Sequence, residues 1–245
     1  LNDKAKAKNL FVSSVFQNRY NPSIKKLKSF MDDGQFGKLV SASVRLRWCR
    51  KQEYYQDNWH GTWKMDGGVI CQQAIHHLDA LNWILGPAKS VCAEMGNQVN
   101  ELEAEDTMVG IIKFESGCLA TIEVTTAARP RDFEASISIV GEKGIAQVGG
   151  IALNKVDVWD FIDSNESIEE VSQLCDIEVP NGMGFGHLDY LNDLITCLSS
   201  DGAKIPMEVP ESTNALELVH ALYSSVEQGG WINLDDKNRS KFLGK

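Results

Sequence analysis

Gln72, His76, Asp79 and Trp83 are spaced by four, three and four residues. On a helix that spacing lines them up on one stripe, with neighbours in contact. An amide, an imidazole, a carboxylate and an indole in one row offer groups for hydrogen bonding and proton transfer. The same row also suits a solvated outer face, and spacing alone leaves both readings open.

The stretch that must carry the row, Asp66 to Pro87, predicts a single helix. Asp66 can cap its start, Gly67-Gly68 lets other backbone or a ligand approach, Gly86 suits the residue past its end, and Pro87 stops continuation. Ile70, Ala74, Leu78, Leu81 and Leu85 give it an apolar face opposite the polar row. Lys51 to Lys64, just before it, is aperiodic and aromatic. Tyr54, Tyr55, Trp59 and Trp63 suit either a pocket wall or a loop folded over the core edge.

Upstream, Leu10 to Gln17 reads as a short apolar strand. Asn21-Pro22 opens a helix that buries Ile24, Leu27, Phe30 and Met31 and ends at Gly34. Leu39 to Cys49 alternates, with Val40, Ala42, Val44, Leu46 and Trp48 inward and Ser41, Ser43, Arg45 and Arg47 outward. Downstream, strands are expected over 90–98, 106–114, 118–126, 133–140, 145–148, 156–161 and 170–179, with turns at Glu115-Ser116-Gly117 and Gly141-Glu142-Lys143-Gly144. Thr121, Glu123, Thr125, Glu134, Ser136 and Ser138 give the sheet a polar face. Two helices follow. The first, about Gly186 to Leu198, should turn Leu188, Leu191, Leu194, Ile195 and Leu198 inward. The second, about Ser212 to Val226, should bury Ala215, Leu218, Val219, Leu222 and Val226. The charged tail after Leu234 is expected to fray. Hairpin connections make the fold α+β: an open, largely antiparallel β-sheet with helices packed on one face, in one domain over residues 1–245.

The chain has 245 residues, 24 basic against 34 acidic, for a net charge of −10. That balance disfavours nucleic acid as a partner. The apolar runs are too short to cross a bilayer, and no signal-peptide pattern is present. Cys49, Cys71, Cys92, Cys118, Cys175 and Cys197 form no CxxC pair, so neither a metal nor a dithiol motif is expected, and a reducing cytoplasm fits. Gly182-Met183-Gly184-Phe185-Gly186 lacks the spacing of a dinucleotide fingerprint. It suits backbone freedom before a helix or, with His187 following, part of a pocket. His76 and His77 point about 100° apart on a helix and are no metal pair; His77 falls nearer the apolar side and reads as structural.

Several stretches together resemble the carboxy-terminal domain of the glucose–fructose oxidoreductase, inositol dehydrogenase and rhizopine catabolism (Gfo/Idh/MocA) family. They are Gln17-Asn18-Arg19-Tyr20-Asn21-Pro22, Gly34-Gln35-Phe36-Gly37-Lys38-Leu39, Trp59-His60-Gly61-Thr62-Trp63, Asp66-Gly67-Gly68 through His76, Leu78-Asp79, Trp83 and Gly86. Phe114-Glu115-Ser116-Gly117, Gly141-Glu142-Lys143-Gly144 and Ala215-Leu216-Glu217-Leu218 to Tyr223-Ser224-Ser225 follow in the family's order. The branch oxidising nucleotide-linked amino-sugar uronates is the most similar, favouring QNRYNP and a glutamine in the central helix.

The resemblance implies an NAD(P)-dependent sugar dehydrogenase whose preceding Rossmann domain, with a Glu-Lys-Pro lysine, lies outside this sequence. The cofactor, NAD or NADP, would be held mainly by that domain. This chain would then be a fragment that binds sugar or nucleotide sugar, binds no nicotinamide tightly by itself, and forms dimers or tetramers through its sheet. His76 is the implied catalytic residue, and Gln72 stands where the family usually has aspartate. Gln72, Gln73, Arg19, Tyr20, Trp59, Lys64 and His187 are the expected substrate-binding residues, with Arg19 able to pair a carboxylate or phosphate. The alternatives are a non-catalytic ligand-binding or transcription-regulatory relative with the same fold, and a free-standing small-molecule binding domain.

Overall fold

The structure is a computed structural model and describes residues 2–200 and 206–245. Its centre is strand β1 (Leu39–Arg47), which pairs in parallel with β4 (Leu119–Thr125) and antiparallel with β5 (Glu134–Gly141). On one side β5 leads to β6 (Gly144–Gly149) and β7 (Lys155–Phe161). On the other, β4 leads to β3 (Thr107–Phe114), β2 (Ala88–Gly96) and a two-residue β8 (Ile232–Asn233). Every pair except β1–β4 is antiparallel, as the sequence predicts for an α+β sheet.

After a short helix α1 (Asn2–Ala7) come α2 (Pro22–Asp32), α3 (Val69–Gln72) and α4 (Ile75–Leu85). Two of these, α2 and α4, cover one sheet face together with the long penultimate element, α7 (Val209–Gln228). Their apolar stripes meet the inward phase of the strands: Ile24, Leu27, Leu78, Leu81, Leu218 and Leu222 pack with Val44, Leu46, Ile122, Val124 and Ile137, all nearly or fully buried. The end of α2 follows the glycine rule. Gly34 has φ +68°, its amide donates to Met31, and that of Gln35 donates to Phe30. Asn21 precedes Pro22 but does not cap; its Nδ2 donates to the Ala152 and Leu153 carbonyls and ties the helix start to the loop before β7.

The other sheet face is open. Ser43 and Ser138 touch across β1 and β5, Oγ to Oγ 2.9 Å, and Arg47 bridges Glu123 and Glu134. Among these small polar side chains stand Val109, Ile111 and Leu119, each close to half exposed.

Several expectations need correction. Leu10–Gln17 forms no strand: it makes one bridge, Ser13 to Glu208, and leads into a 3-10 turn at Gln17–Tyr20. Strand propensity is realised only against a neighbour, and no described strand lies beside it. Val40 is exposed because the β1–β5 register shifts between Leu39 and Ser41. Residues 170–179 are no edge strand. Ser167 and Glu170 form a reciprocal capping box that starts α5 (Ile168–Cys175), and Val171 and Cys175, one turn apart, bury against β7. Helix α6 (Gly186–Leu198) lies where expected but faces the other way. Tyr190 and Cys197 are buried and Leu194 packs inward as expected, while Leu188, Leu191, Ile195 and Leu198 are exposed, because the helix rests on the Gln17–Tyr20 turn and not on the sheet. The tail does not fray. Ser240 Oγ donates to Glu227, the Gly244 amide donates to the Trp63 carbonyl at 2.7 Å, and Phe242 stacks on Trp63.

Candidate functional site

The single helix expected over Asp66–Pro87 is two helices. Asp66 does not cap the first; burial pushes its carboxyl up to about 6. The start is held instead from across the fold. The Gly68 amide donates to Tyr223 Oη, the Val69 amide to the Glu105 carbonyl and the Ile70 amide to Glu105 Oε1, each at 3.0 Å. Gly68 must be glycine for this, since a β-carbon there would collide with the carbonyl and carboxyl of Glu105. After one turn the Ala74 amide reaches back five residues to the Val69 carbonyl, 2.9 Å, a single wide turn that inserts a residue before α4.

The predicted stripe is divided within α4. Gln72, Gln73, His76 and His77 all reach one cavity, while Asp79 and Trp83 turn away to hold Arg19. The cavity has a volume of about 310 Å³. The Gln17–Tyr20 turn, the loop after β1 (Trp48, Arg50, Tyr54), the two helices, and Gly182, Met183 and His187 at the approach to α6 enclose it.

Its chemistry is that of neutral imidazoles and unpartnered polar atoms. Burial, and then the neighbouring His187, holds His76 down at about 4, so its ring is neutral at pH 7. Among the described residues His76 Nδ1 is buried without a hydrogen-bond partner, and its ring meets Phe16 edge-on at 5.7 Å. Gln17 Oε1 and Trp48 Nε1 are likewise buried with no partner among the described residues. Buried polar atoms are normally satisfied, so three such atoms on residues of one cavity wall are unusual. His77, read as structural, lies beneath the edge of Trp48; burial and then His76 push it to about 3. Gln72 Nε2 donates to Tyr54 Oη at 3.0 Å, which fixes the amide at the cavity wall.

Of the expected binding residues, Gln72, Gln73 and His187 join His76 here; the others do not. Arg19 is buried and gives Nε and Nη2 to Asp79 at 2.7 Å each and Nη1 to Glu211, so it is committed to protein carboxylates and does not line the cavity. Tyr20 packs edge-on against Tyr190, Trp59 stacks on His60, and Lys64 is exposed on the loop before α3. Sequence reasoning missed Asn18, Trp48 and Arg50. Trp48 falls in the inward phase of the expected strand Leu39–Cys49 and reads as core, and Arg50 carries no periodic signal. Tyr54 was within reach, since the aromatic loop does supply a wall, through that one ring. No cluster of three or more His, Cys, Asp or Glu able to hold a metal occurs among the described residues.

Glu105 supports the site from below. Burial raises its carboxyl from 4.5 to about 8, so it is protonated at neutral pH. The folded state therefore holds this proton more tightly than the unfolded chain. Its contribution is fully present below about pH 4.5 and is lost as pH rises through about 8. Glu105→Gln should leave stability at pH 6 within about 1 kcal/mol, since an amide keeps the shape and the acceptor. It should also flatten the decline toward pH 8 in urea titrations. An unchanged pH slope would show that Glu105 is ionised in the fold.

A family model described as the GFO/IDH/MocA C-terminal domain matches residues 24–147. The chain belongs to this family. The GFO/IDH/MocA match runs from α2 into β6 and takes in the cavity's central helices. Likeness to solved structures extends further. The WlbA dehydrogenase from Bordetella pertussis, in complex with NADH and UDP-GlcNAcA, superposes with a TM-score of 0.87 at 34% identity over 94% of this chain and 66% of its own. The WlbA enzyme from Chromobactrium violaceum, with the same two ligands, gives 0.85 and 33%, over 94% and 65%. The putative oxidoreductase YteT of Bacillus subtilis is 32% identical over 78 residues, 31% of this chain and 18% of its own. This chain thus spans just under two thirds of the WlbA proteins. Its GFO/IDH/MocA sheet, open on one face and covered by helices on the other, is the architecture that the sequence resemblance implies.

Proposed function

We propose that this domain holds the substrate of an NAD(P)-dependent dehydrogenase acting on a hydroxyl of a sugar or nucleotide sugar, and that residues 1–245 form one substrate-binding unit of a longer enzyme. The observation that carries the reading is His76, a ring held neutral by burial that lines one cavity together with Gln72, Gln73 and His187. Oxidising a secondary alcohol removes a hydride from carbon and a proton from oxygen. His76 can take that proton, while the two amides and His187 fix neighbouring hydroxyls. Nicotinamide, when bound, supplies the hydride acceptor. The first amides of α3 are already engaged by Glu105 and Tyr223, so they cannot cradle its phosphates. That fits the assignment of the dinucleotide to a separate domain, and the two NADH-bound WlbA structures support NAD(H) as the cofactor class.

The test is a titration of this chain with UDP-GlcNAcA followed by NMR. Saturable shifts at His76, His187 and the Gln72 amide are expected. Saturable binding that leaves these three signals still would overturn the assignment of the site.

We further propose that a second copy covers the open sheet face, making the assembly a homodimer or a tetramer. Support comes from the exposed Val109, Ile111 and Leu119 among flat, small polar neighbours, a surface that can meet itself about a two-fold axis. Ile111→Glu should convert a dimer to a monomer in sedimentation; a wild-type monomer at high concentration would defeat the idea. Cys49, Cys71, Cys92, Cys118 and Cys175 carry free thiols, which supports a reducing, cytoplasmic location. No helix among the described residues is long and apolar enough to cross a membrane.

A further inference from the structure

The Gln72 side chain is held from two directions, and both holds end on one pair of buried neighbours outside the cavity lining, Glu105 and Asp106. The first hold runs through α3. A single helical turn has too few internal hydrogen bonds to stand by itself, so Gln72 points where the start of that turn is fixed. The start is fixed by the Glu105 carbonyl and carboxyl and by Tyr223 Oη, which donates to Glu105 Oε1 at 3.2 Å.

The second hold runs through the aromatic loop. Gln72 Nε2 donates to Tyr54 Oη, and Tyr54 sits on the 3-10 turn Gln52–Tyr55. That turn is pinned at both ends. The Gln52 side chain donates to the Glu101 carbonyl at 3.0 Å and accepts the Glu101 amide at 2.8 Å. Tyr55 Oη pairs with Thr126 Oγ1 at 2.7 Å, and the Tyr54 and Tyr55 rings meet edge-on at 5.0 Å. Water competes for the exposed Gln52 pair, so the half-buried Tyr55 link is the firmer anchor. Thr126 is buried and gives its amide to the Asp106 carbonyl at 2.8 Å. Asp106 is fixed in turn, because its carboxylate accepts the amides of Gln98, Val99 and Asn100 at 2.8, 3.0 and 2.9 Å. The two paths close a ring that leaves Gln72 through Tyr54, Tyr55, Thr126 and Asp106 and returns through Glu105 and α3.

We propose that Tyr55 is a positioning residue: anchored on Thr126, it presets the Gln72 amide through Tyr54 without itself meeting the ligand. A glutamine left free loses rotamer freedom when it meets a ligand, and one already fixed does not. The inference rests on the substrate-domain reading above and adds to it a residue that stands outside the cavity lining.

Tyr55→Phe and Thr126→Val test it, since each removes one hydroxyl, keeps the side chain's size and breaks the same link from opposite ends. Thermal midpoints within a few degrees of wild type would establish that the variants are folded; a folding failure of one leaves the other to decide. The first measurement is the Gln72 side-chain amide signal in the ligand-free chain by NMR. Both variants should move it toward the position of a freely rotating glutamine, and a signal that stays put overturns the proposal. The second is affinity for UDP-GlcNAcA by calorimetry. Tyr55→Phe should weaken binding about three- to tenfold, the scale of one hydrogen bond. Added to Gln72→Ala, it should weaken binding no further, within about twofold, because both changes remove the same interaction. Losses that multiply would mean that Tyr55 acts by another route, which also overturns the proposal. Failure of wild type to bind UDP-GlcNAcA would count against the substrate-domain reading, while the Gln72 signal of the free chain would still decide the Tyr55 link.

Discussion

In the longer dehydrogenase proposed above, His76→Ala is expected to lower turnover by about a hundred- to ten-thousandfold, the usual worth of a positioned acid–base group. Substrate affinity should change far less, because one lost hydrogen bond costs about 0.5–1.5 kcal/mol. Sequence alone places the lost ionisation near neutrality. The fold moves it: burial and His187 hold His76 at about 4, so the base is competent across the neutral range and its step in the activity profile belongs near pH 4. Stability carries the same signature. The folded values of His76 and His77, about 4 and about 3, lie below the ordinary 6.5, so protons bind the unfolded chain first. Stability is full above about pH 6.5 and falls as pH drops toward 4 and 3, and His76→Ala should remove its share of that fall. Turnover within a few-fold of wild type would make His76 a packing residue and bring the non-catalytic reading forward.

Arg19→Met is expected to cost about 3–5 kcal/mol of stability, as breaking a buried ion pair does when one charge stays behind. Asp79 is 2% exposed, and burial already raises its carboxyl despite Arg19. Without the guanidinium it must take up a proton or open the fold. The contact with Glu211, which is 40% exposed, adds little. Arg19→Met combined with Asp79→Leu should recover most of the loss, since replacing both partners removes the stranded charge. Urea denaturation of the single and double variants measures this. Binding of nucleotide sugar by the folded single variant should match wild type. A stability loss under about 1 kcal/mol, or a tenfold loss of affinity, would return Arg19 to the ligand site.

The parts of the fold legible in sequence are those whose causes are local. Gly34 and Gly86 end helices with positive φ, Gly117 turns the β3–β4 hairpin, and the inward residues of α2, α4 and α7 follow from period alone. The Ser167–Glu170 capping box was equally local and was overlooked, which turned α5 into a strand. The break after α3 was not legible. The groups that hold its start, Glu105 and Tyr223, are 35 and 155 residues away along the chain. The same distance problem reversed α6, whose period announces two faces without saying which one meets protein. At the candidate site, helix spacing and a glycine run mark Gln72, His76 and His187, which line one cavity in the structure; Arg50 lines it too and carries no such signal.

The position of β1 bears on how the chain folds. It comes first in the chain among the strands of this sheet and lies in the sheet's interior, yet Ser41 pairs with Leu119 and Leu39 with Gly141. On the ribosome, β1 therefore emerges with both edges bare and stays so until β4 and β5 have been synthesised. The β2–β3–β4 meander and the β5–β6–β7 meander can each form from neighbouring sequence, but they join only through β1. Contacts so far apart are slow to close, and an unpaired apolar strand held open meanwhile invites pairing with the wrong chain. Folding of this domain should thus be limited by docking two preformed halves onto their shared first strand, with sensitivity to crowded, fast synthesis concentrated at residues 39–47.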